Sequence, residues 1–423
     1  MKRTVIPIVE QLSKPKSASG LMGQGAAALA GDTGLELVGL PPLAVYVHVP
    51  WCVRKCPYCD FNSHALQGEL PEEQYLAALQ ADLEQALPDI WGRQVSSVFI
   101  GGGTPSLLSA KALDSLLSLL RTHLTIWPDA EITLEANPGT IEAGKFAAYA
   151  ASGVNRLSLG IQSFDDHALQ VLGRIHEAKQ AHAAIDIAQR AVPRVNLDLM
   201  FALPGQSLQA CEADLRAAMF YGTEHLSLYN LTLEPNTVFA KYPPADLPDD
   251  DLAAAMQDKV EELTAAQGWE RYEVSAYAKS SRARSRHNVN YWEFGDYLGL
   301  GPGAHSKLSF YNRIHRQARL KQPESWMEQA VLRNGSHIAS EQDIAHEDLP
   351  FEFMMNALRL KEGVPWRYFT ERTGLPQLAV APAVERCLQK GLLEDDALQL
   401  KASTLGWRFL NDTLEEFLEE KLP

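Results

Sequence analysis

The sequence predicts an α/β fold, a partial (β/α)6 barrel followed by a small, mainly helical C-terminal domain. Two observations predict it. From Leu43 onward, short β-rich apolar runs alternate with longer amphipathic segments, the pattern of repeated βα units. The chemically unusual residues fall just after those runs, where a parallel barrel builds its site from the loops that follow its strands.

In chain order, residues 1–41 read as a flexible N-terminal extension, Gly/Ala/Ser-rich from Ser17 to Gly31 and bounded by Pro41-Pro42. The barrel is expected over 42–275, with strands at 43–49, 95–100, 131–136, 156–161, 195–201 and 225–230. Helices are expected at 73–86, 110–123, 178–191 and 208–221, then a long helix at 249–267 and a strand at 272–276. A connecting region, 276–346, carries three arginines, Arg282, Arg284 and Arg286, ahead of His287-Asn288-Val289-Asn290-Tyr291-Trp292. Residues 347–423 read as the C-terminal domain: short helices, a β-wing near 393–400, and an amphipathic helix around 405–418.

The net charge of −15 argues against a partner whose main feature is a phosphate backbone or an anionic membrane, so no nucleic-acid substrate is expected. Met1-Lys2-Arg3 mimics the start of a signal peptide, but Glu10, Lys14 and Lys16 interrupt any apolar stretch. No run is long and apolar enough to span a bilayer. The expectation is a soluble, cytoplasmic protein. Five cysteines in 423 residues do not make an oxidised framework. Cys211 and Cys387 lie in helical patterns and read as packed thiols.

The other three, Cys52, Cys56 and Cys59, follow the first strand in a C-x3-C-x2-C spacing. A four-iron cluster normally takes four cysteines, so three thiolates would leave one iron open to an exchangeable ligand. The alternative is a closed Cys3His zinc site using His48 or His64. Zinc thiolates usually come in two separated pairs, which ranks that reading second.

The run from Tyr46 through the three cysteines to Asp60-Phe61-Asn62 resembles the radical S-adenosylmethionine (SAM) superfamily, in the branch that holds the oxygen-independent coproporphyrinogen III oxidases and the heme chaperones. The resemblance covers residues 43–423. It implies a [4Fe-4S] cluster on Cys52, Cys56 and Cys59, whose open iron is chelated by the amino and carboxylate groups of SAM. In the superfamily, one electron from the cluster then cleaves SAM to a 5′-deoxyadenosyl radical. Gly102, Gly103 and Thr104 match the glycine motif that hydrogen-bonds the SAM amino group. Glu135, Gln162, Arg174 and Asp198 match positions that contact its methionine and ribose portions, and Tyr46 and Tyr58 match positions near the methyl group and adenine. Each has a plainer reading: a sharp βα turn for the glycines, a solvent carboxylate for Glu135, a surface arginine for Arg174, and packing for the tyrosines.

The H-N-x-x-Y-W hexapeptide resembles a signature implicated in heme binding, with His287 as a candidate at the iron and the preceding arginines near the propionates. The plainer reading is a solvated basic loop and a core Tyr-Trp pair. Oxidases of the branch carry a further cysteine two residues after the third ligand, where this chain has Phe61. The resemblance therefore implies heme as cargo, handed to an acceptor protein, with peripheral contact at a membrane-bound acceptor. The competing readings are a coproporphyrinogen III oxidase, whose activity Phe61 argues against, and a SAM methyltransferase or another radical enzyme.

Overall fold

A computed structural model describes residues 35–418 of the chain. The expectation for residues 1–34 of the extension lies outside the described residues. Of its remainder, Leu35 and Leu37 are buried in the core of the C-terminal domain, whereas Glu36 and residues 38–40 are exposed.

A twelve-stranded sheet organises the molecule. Its strands and principal helices, in chain order, are β1 Leu43–Val49, α1 Glu72–Ala86, β2 Gln94–Gly102, α2 Ala110–His123, β3 Thr125–Ala136, α3 Ala143–Ala151, β4 Arg156–Gln162, α4 Ala178–Ala191, β5 Arg194–Phe201, α5 Leu208–Phe220, β6 His225–Asn230, α6 Asp250–Ala266, β7 Glu270–Arg271, β8 Ala276–Ala278, α7 Arg286–Trp292, β9 Asp296–Leu300, β10 His305–Phe310, β11 Arg313–Arg319, α8 Pro323–Ala330 and β12 Ile338–Asp343. The sheet order is β12-β11-β10-β9-β1-β2-β3-β4-β5-β6-β8-β7. The pairs from β9 through β1 to β6 are parallel, and antiparallel pairs flank them at both ends. The sheet is open: an unclosed barrel whose six expected strands are all present.

The seventh parallel strand, β9, runs into the Gly-rich stretch 299–303 and is additional to the six expected. A side chain at Gly299 would collide with the His305 backbone, so glycine there permits the turn of β9 into β10. The strand expected at 272–276 is instead the antiparallel pair β7–β8.

Strand alternation divides the sheet into two chemically different faces. Val45, Val47, Ile100, Leu134, Leu157, Leu159, Leu197, Leu199, Leu226 and Leu228 point outward into the main core, where α1–α6 cover them. The alternate residues are Tyr46 and His48; Ser97 and Phe99; Glu131, Thr133 and Glu135; Arg156 and Ser158; Arg194, Asn196 and Asp198; and His225 and Ser227. The parallel register lines these up across the strands, as in Tyr46 with Phe99, Glu135 with Ser158, Ser158 with Asn196, and Asp198 with Ser227. Parallel sheets covered on both faces carry apolar residues on both. A polar concave face is suited to a ligand.

The C-terminal domain has its own core around Phe294, Phe353 and Phe369, built on helices at Leu349–Ala357, Arg367–Thr373 and Ala381–Gln389. At the expected wing, Leu393 bridges antiparallel to Ala402, and Gln399–Leu400 also pairs with Val364–Pro365. The last helix is two, Thr404–Arg408 and Leu410–Glu415, because Phe409 leaves helical geometry at φ −115° and ψ 52°. Cys211 and Cys387 are buried, one in each core. Among the described residues, no helix is long and apolar enough to cross a membrane.

Candidate functional site

The cysteine loop leaves β1 through the short strand Trp51–Cys52, which pairs with His64–Ala65 and so clamps both ends of the loop. Trp51 anchors the clamp against the buried Tyr75 in an edge-on contact at 5.3 Å. Cys52, Cys56 and Cys59 are unpaired and half-buried. Burial pushes the thiols of Cys52 and Cys59 up from their ordinary range. Among the described residues, no three His, Cys, Asp or Glu side chains are grouped to hold a metal ion.

The histidines of the zinc alternative have other partners. His48 Nε2 donates to the Asn62 carbonyl (2.8 Å) and its Nδ1 accepts from the Tyr46 hydroxyl (2.9 Å), so neither nitrogen is free for the thiols. Burial lowers His48 to about 4 and keeps it neutral. His64 Nε2 meets Asn62 Oδ1 at 3.2 Å.

The glycine run lies directly against this loop. The N–H groups of Gly103 and Thr104 donate to the Val49 and Trp51 carbonyls at 2.7 and 2.8 Å, and that of Gly102 donates to Glu135 Oε2 at 3.0 Å. Gly102 has φ 115°, and a Cβ there would lie 2.6 Å from the His48 ring. At Gly103 a Cβ would lie 2.6 Å from the Trp51 carbonyl oxygen. Only glycine permits this approach of β2 to the cysteine loop. The three N–H groups are engaged, so an ammonium ligand, itself a donor, would have to find carbonyl or carboxylate acceptors here.

Glu135 and Asp198 project from the C-terminal ends of β3 and β5. Glu135 keeps some solvent access at the mouth. Burial of the rest, with the charge of Asp198, raises its carboxyl to about 8 against the pull of the Gly102 N–H and Arg156. Asp198 is likewise raised by burial, and accepts from Ser158 Oγ (2.9 Å) and Asn196 Nδ2 (2.8 Å). Two carboxyl groups whose charged forms burial disfavours suit a cationic ligand that would favour those forms.

Gln162 ends β4 with φ 69°, at a register shift in its pairing with β5. Left-handed backbone at a non-glycine residue stores strain of order 1 kcal/mol, and here the Gln162 amide lies beside Gly160, as does the Arg174 guanidinium. Arg174 donates to the Gly160 carbonyl (2.8 Å) and approaches Cys56 Sγ (3.7 Å) and the Tyr58 hydroxyl (3.5 Å). Its Nε is buried without a hydrogen-bond partner, an unmet donor beside the thiols.

His287 lies elsewhere. Its ring packs on Phe99 at 5.0 Å and Tyr46 at 6.3 Å, against the polar inner face of the sheet. Burial lowers it to about 4, and its Nδ1 is buried without a partner. The rest of the hexapeptide turns the other way, with Val289 and Trp292 packed on the C-terminal core and Tyr291 edge-on to Trp292. The expected arginine cluster is divided: Arg284 makes two bonds to Glu362 (2.8 and 2.6 Å) and Arg286 pairs with Asp129 (3.1 Å), whereas Arg282 is exposed.

Sequence reading missed the inner face below these residues: Phe99, Glu131, Arg156, Ser158, Arg194, Asn196 and His225. The signal was present as the strict alternation of polar and apolar residues in E-I-T-L-E, R-L-S-L-G and R-V-N-L-D.

Residues 46–218 match the family model described as Radical SAM superfamily, and 344–409 that described as HemN C-terminal domain. The chain is 46% identical over 386 residues to a protein from Escherichia coli (strain K12) named heme chaperone HemW, covering 91% of this chain and 100% of that one. It is 45% identical to the heme chaperone HemW of Haemophilus influenzae, covering 90% and 99%. Its fold matches a solved structure of the E. coli coproporphyrinogen III oxidase HemN with a TM-score of 0.75 at 23% identity, covering 89% of this chain and 90% of that one. The chain belongs to the HemW family of radical SAM proteins. That membership implies a [4Fe-4S] cluster and SAM, and the half-buried thiols, the tightly packed glycine run and the unmet Arg174 donor fit both.

Proposed function

We propose that this protein is a heme chaperone, which binds heme and hands it intact to an acceptor protein while carrying a SAM-ligated [4Fe-4S] cluster. The observation that carries the reading is the likeness along nearly the whole chain to proteins named heme chaperone HemW. Cys52, Cys56 and Cys59 would hold the cluster. Gly102, Gly103, Thr104, Glu135, Gln162, Arg174 and Asp198 would surround SAM, with Tyr46 and Tyr58 at its flanks. When bound, the cluster supplies an electron and an open iron for the amino and carboxylate groups of SAM. The protein's own residues bind and orient: Glu135 and Asp198 present carboxylates, Arg174 a buried cation, and the glycines close approach.

His287 is our assignment for the heme-iron ligand. Its low pKa keeps the imidazole neutral at physiological pH, the form that binds a metal. Arg282, exposed and without an ion pair among the described residues, is better suited to a propionate than Arg284 or Arg286. We place the protein in the cytoplasm, with membrane contact only through its acceptor. Phe61, 60% exposed where the oxidases carry a cysteine, argues against coproporphyrinogen III oxidation. Anaerobic incubation with coproporphyrinogen III, SAM and a reductant tests this: the chaperone reading expects no decarboxylated product, and robust turnover would overturn it.

A further inference from the structure

The polar inner face contains one continuous hydrogen-bonded path from the mouth of the site to the start of α7. Asn196 Nδ2 donates to Asp198 Oδ1 (2.8 Å), and Asn196 Oδ1 meets His225 Nδ1 at 2.6 Å. His225 Nε2 meets the Tyr272 hydroxyl at 2.9 Å, and that hydroxyl accepts from the backbone N–H of Ser285 (3.3 Å). Ser285 caps α7, its Oγ accepting from Asn288 N at 3.3 Å. Glu131 completes the far end, accepting from Ser285 Oγ and from the His287 N–H, both at 3.4 Å.

The donors and acceptors can be assigned throughout. Asn196 Nδ2 already donates to Asp198 and Ser158, so its Oδ1 is the acceptor and His225 Nδ1 carries the proton. Burial, with Arg156 and Arg194 nearby, keeps His225 neutral, so its Nε2 has no proton and accepts from the Tyr272 hydroxyl. Every bond from Ser285 N–H to Asp198 then points the same way, toward the carboxylate. Such a chain is mutually polarising, and the state of the carboxylate at one end affects each bond behind it. The main chain of Tyr272 also receives the Lys361 N–H (3.0 Å), which ties the same residue to the C-terminal domain. A cavity of about 210 Å³ lined by Arg156, Arg194, His225 and Ala283 lies beside the path at His225.

We propose that His225 and Tyr272 are positioning residues that transmit the state of Asp198 to the cap of α7, and so couple SAM at the mouth to the ligand held by His287. The coupling to heme rests on the function proposed above; the transmission to α7 does not. Coupling of two sites is reciprocal, so SAM must change the affinity for heme by the factor by which heme changes that for SAM.

A ligand-free double-mutant cycle tests the transmission in the full-length, cluster-loaded protein. Asp198→Ala and Tyr272→Phe should each speed amide exchange across residues 285–292 by about fivefold, the worth of one hydrogen bond. The double variant should exchange no faster than either single one. Multiplying effects, or no effect of either change, overturns the proposal. His225→Phe provides an independent break at the middle of the path, with the same expectation. In a second arm hemin is titrated with and without SAM: wild type should show a ratio of affinities of about fivefold or more, and Tyr272→Phe a ratio of one. An equal ratio in both proteins overturns the coupling. If hemin fails to bind wild type, the chaperone reading falls and the exchange cycle alone decides the relay.

Discussion

Replacing Glu135 with glutamine separates the charge of this side chain from its shape. The Gly102 N–H can still bond to the amide oxygen, so the backbone of the glycine run is preserved. What is lost is a charge-assisted contact to a cationic ligand, worth roughly 1.5 to 3 kcal/mol when made. The wild-type carboxyl, raised to about 8 by burial and by Asp198, must ionise to make that contact. At pH 8 it is half ionised and the cost is about 0.4 kcal/mol; at pH 6.5 it is mostly protonated and the cost is about 2 kcal/mol. The advantage of wild type over Glu135→Gln in SAM affinity should therefore shrink by up to about 15-fold from pH 8 to pH 6.5. The comparison at each pH cancels the titration of SAM itself. Calorimetry on anaerobically prepared, cluster-loaded protein measures it. Equal affinities of the two proteins at pH 8, or a ratio independent of pH, would refute the placement of Glu135 against the ligand.

Alanine in place of any one of Cys52, Cys56 or Cys59 should remove most iron and labile sulfide from reconstituted protein, while zinc without iron in wild type would sink the cluster. Arg174→Lys keeps the charge but loses the planar fork, and should weaken SAM binding by about tenfold; an unchanged affinity in calorimetry would place SAM away from Arg174. Gly103→Ala would drive a methyl group into the Trp51 carbonyl, so the variant should lose cluster as well as SAM. Retention of a full complement of iron would show that the close approach of β2 to the cysteine loop is dispensable.

The barrel strands were readable because each carries a regular apolar set and ends in residues that a core would not need. The cysteine loop, Gly102 and Gly103, Glu135 and Asp198 then followed from placement at those ends. The strand at Asp296–Leu300 was hidden because its Gly299, and Gly301 just beyond its end, look like loop residues, although both serve close backbone approach. The direction faced by His287 depended on α7 crossing between sheet and C-terminal domain, a tertiary fact that no local spacing carries. The same holds for Arg284 and Arg286, whose partners Glu362 and Asp129 lie far away in sequence.

The central claim, that this chain holds heme through His287 and returns it unaltered, is tested most directly by visible absorption. Cluster-loaded protein is titrated anaerobically with hemin, as wild type and as His287→Ala, and the porphyrin is recovered for mass analysis. The account predicts a shifted Soret band in wild type, a weakened or displaced band in His287→Ala with the cluster absorption intact, and a recovered porphyrin of unchanged mass. A wild-type spectrum identical to that of free hemin, or a porphyrin that has lost carboxyl groups, would contradict it.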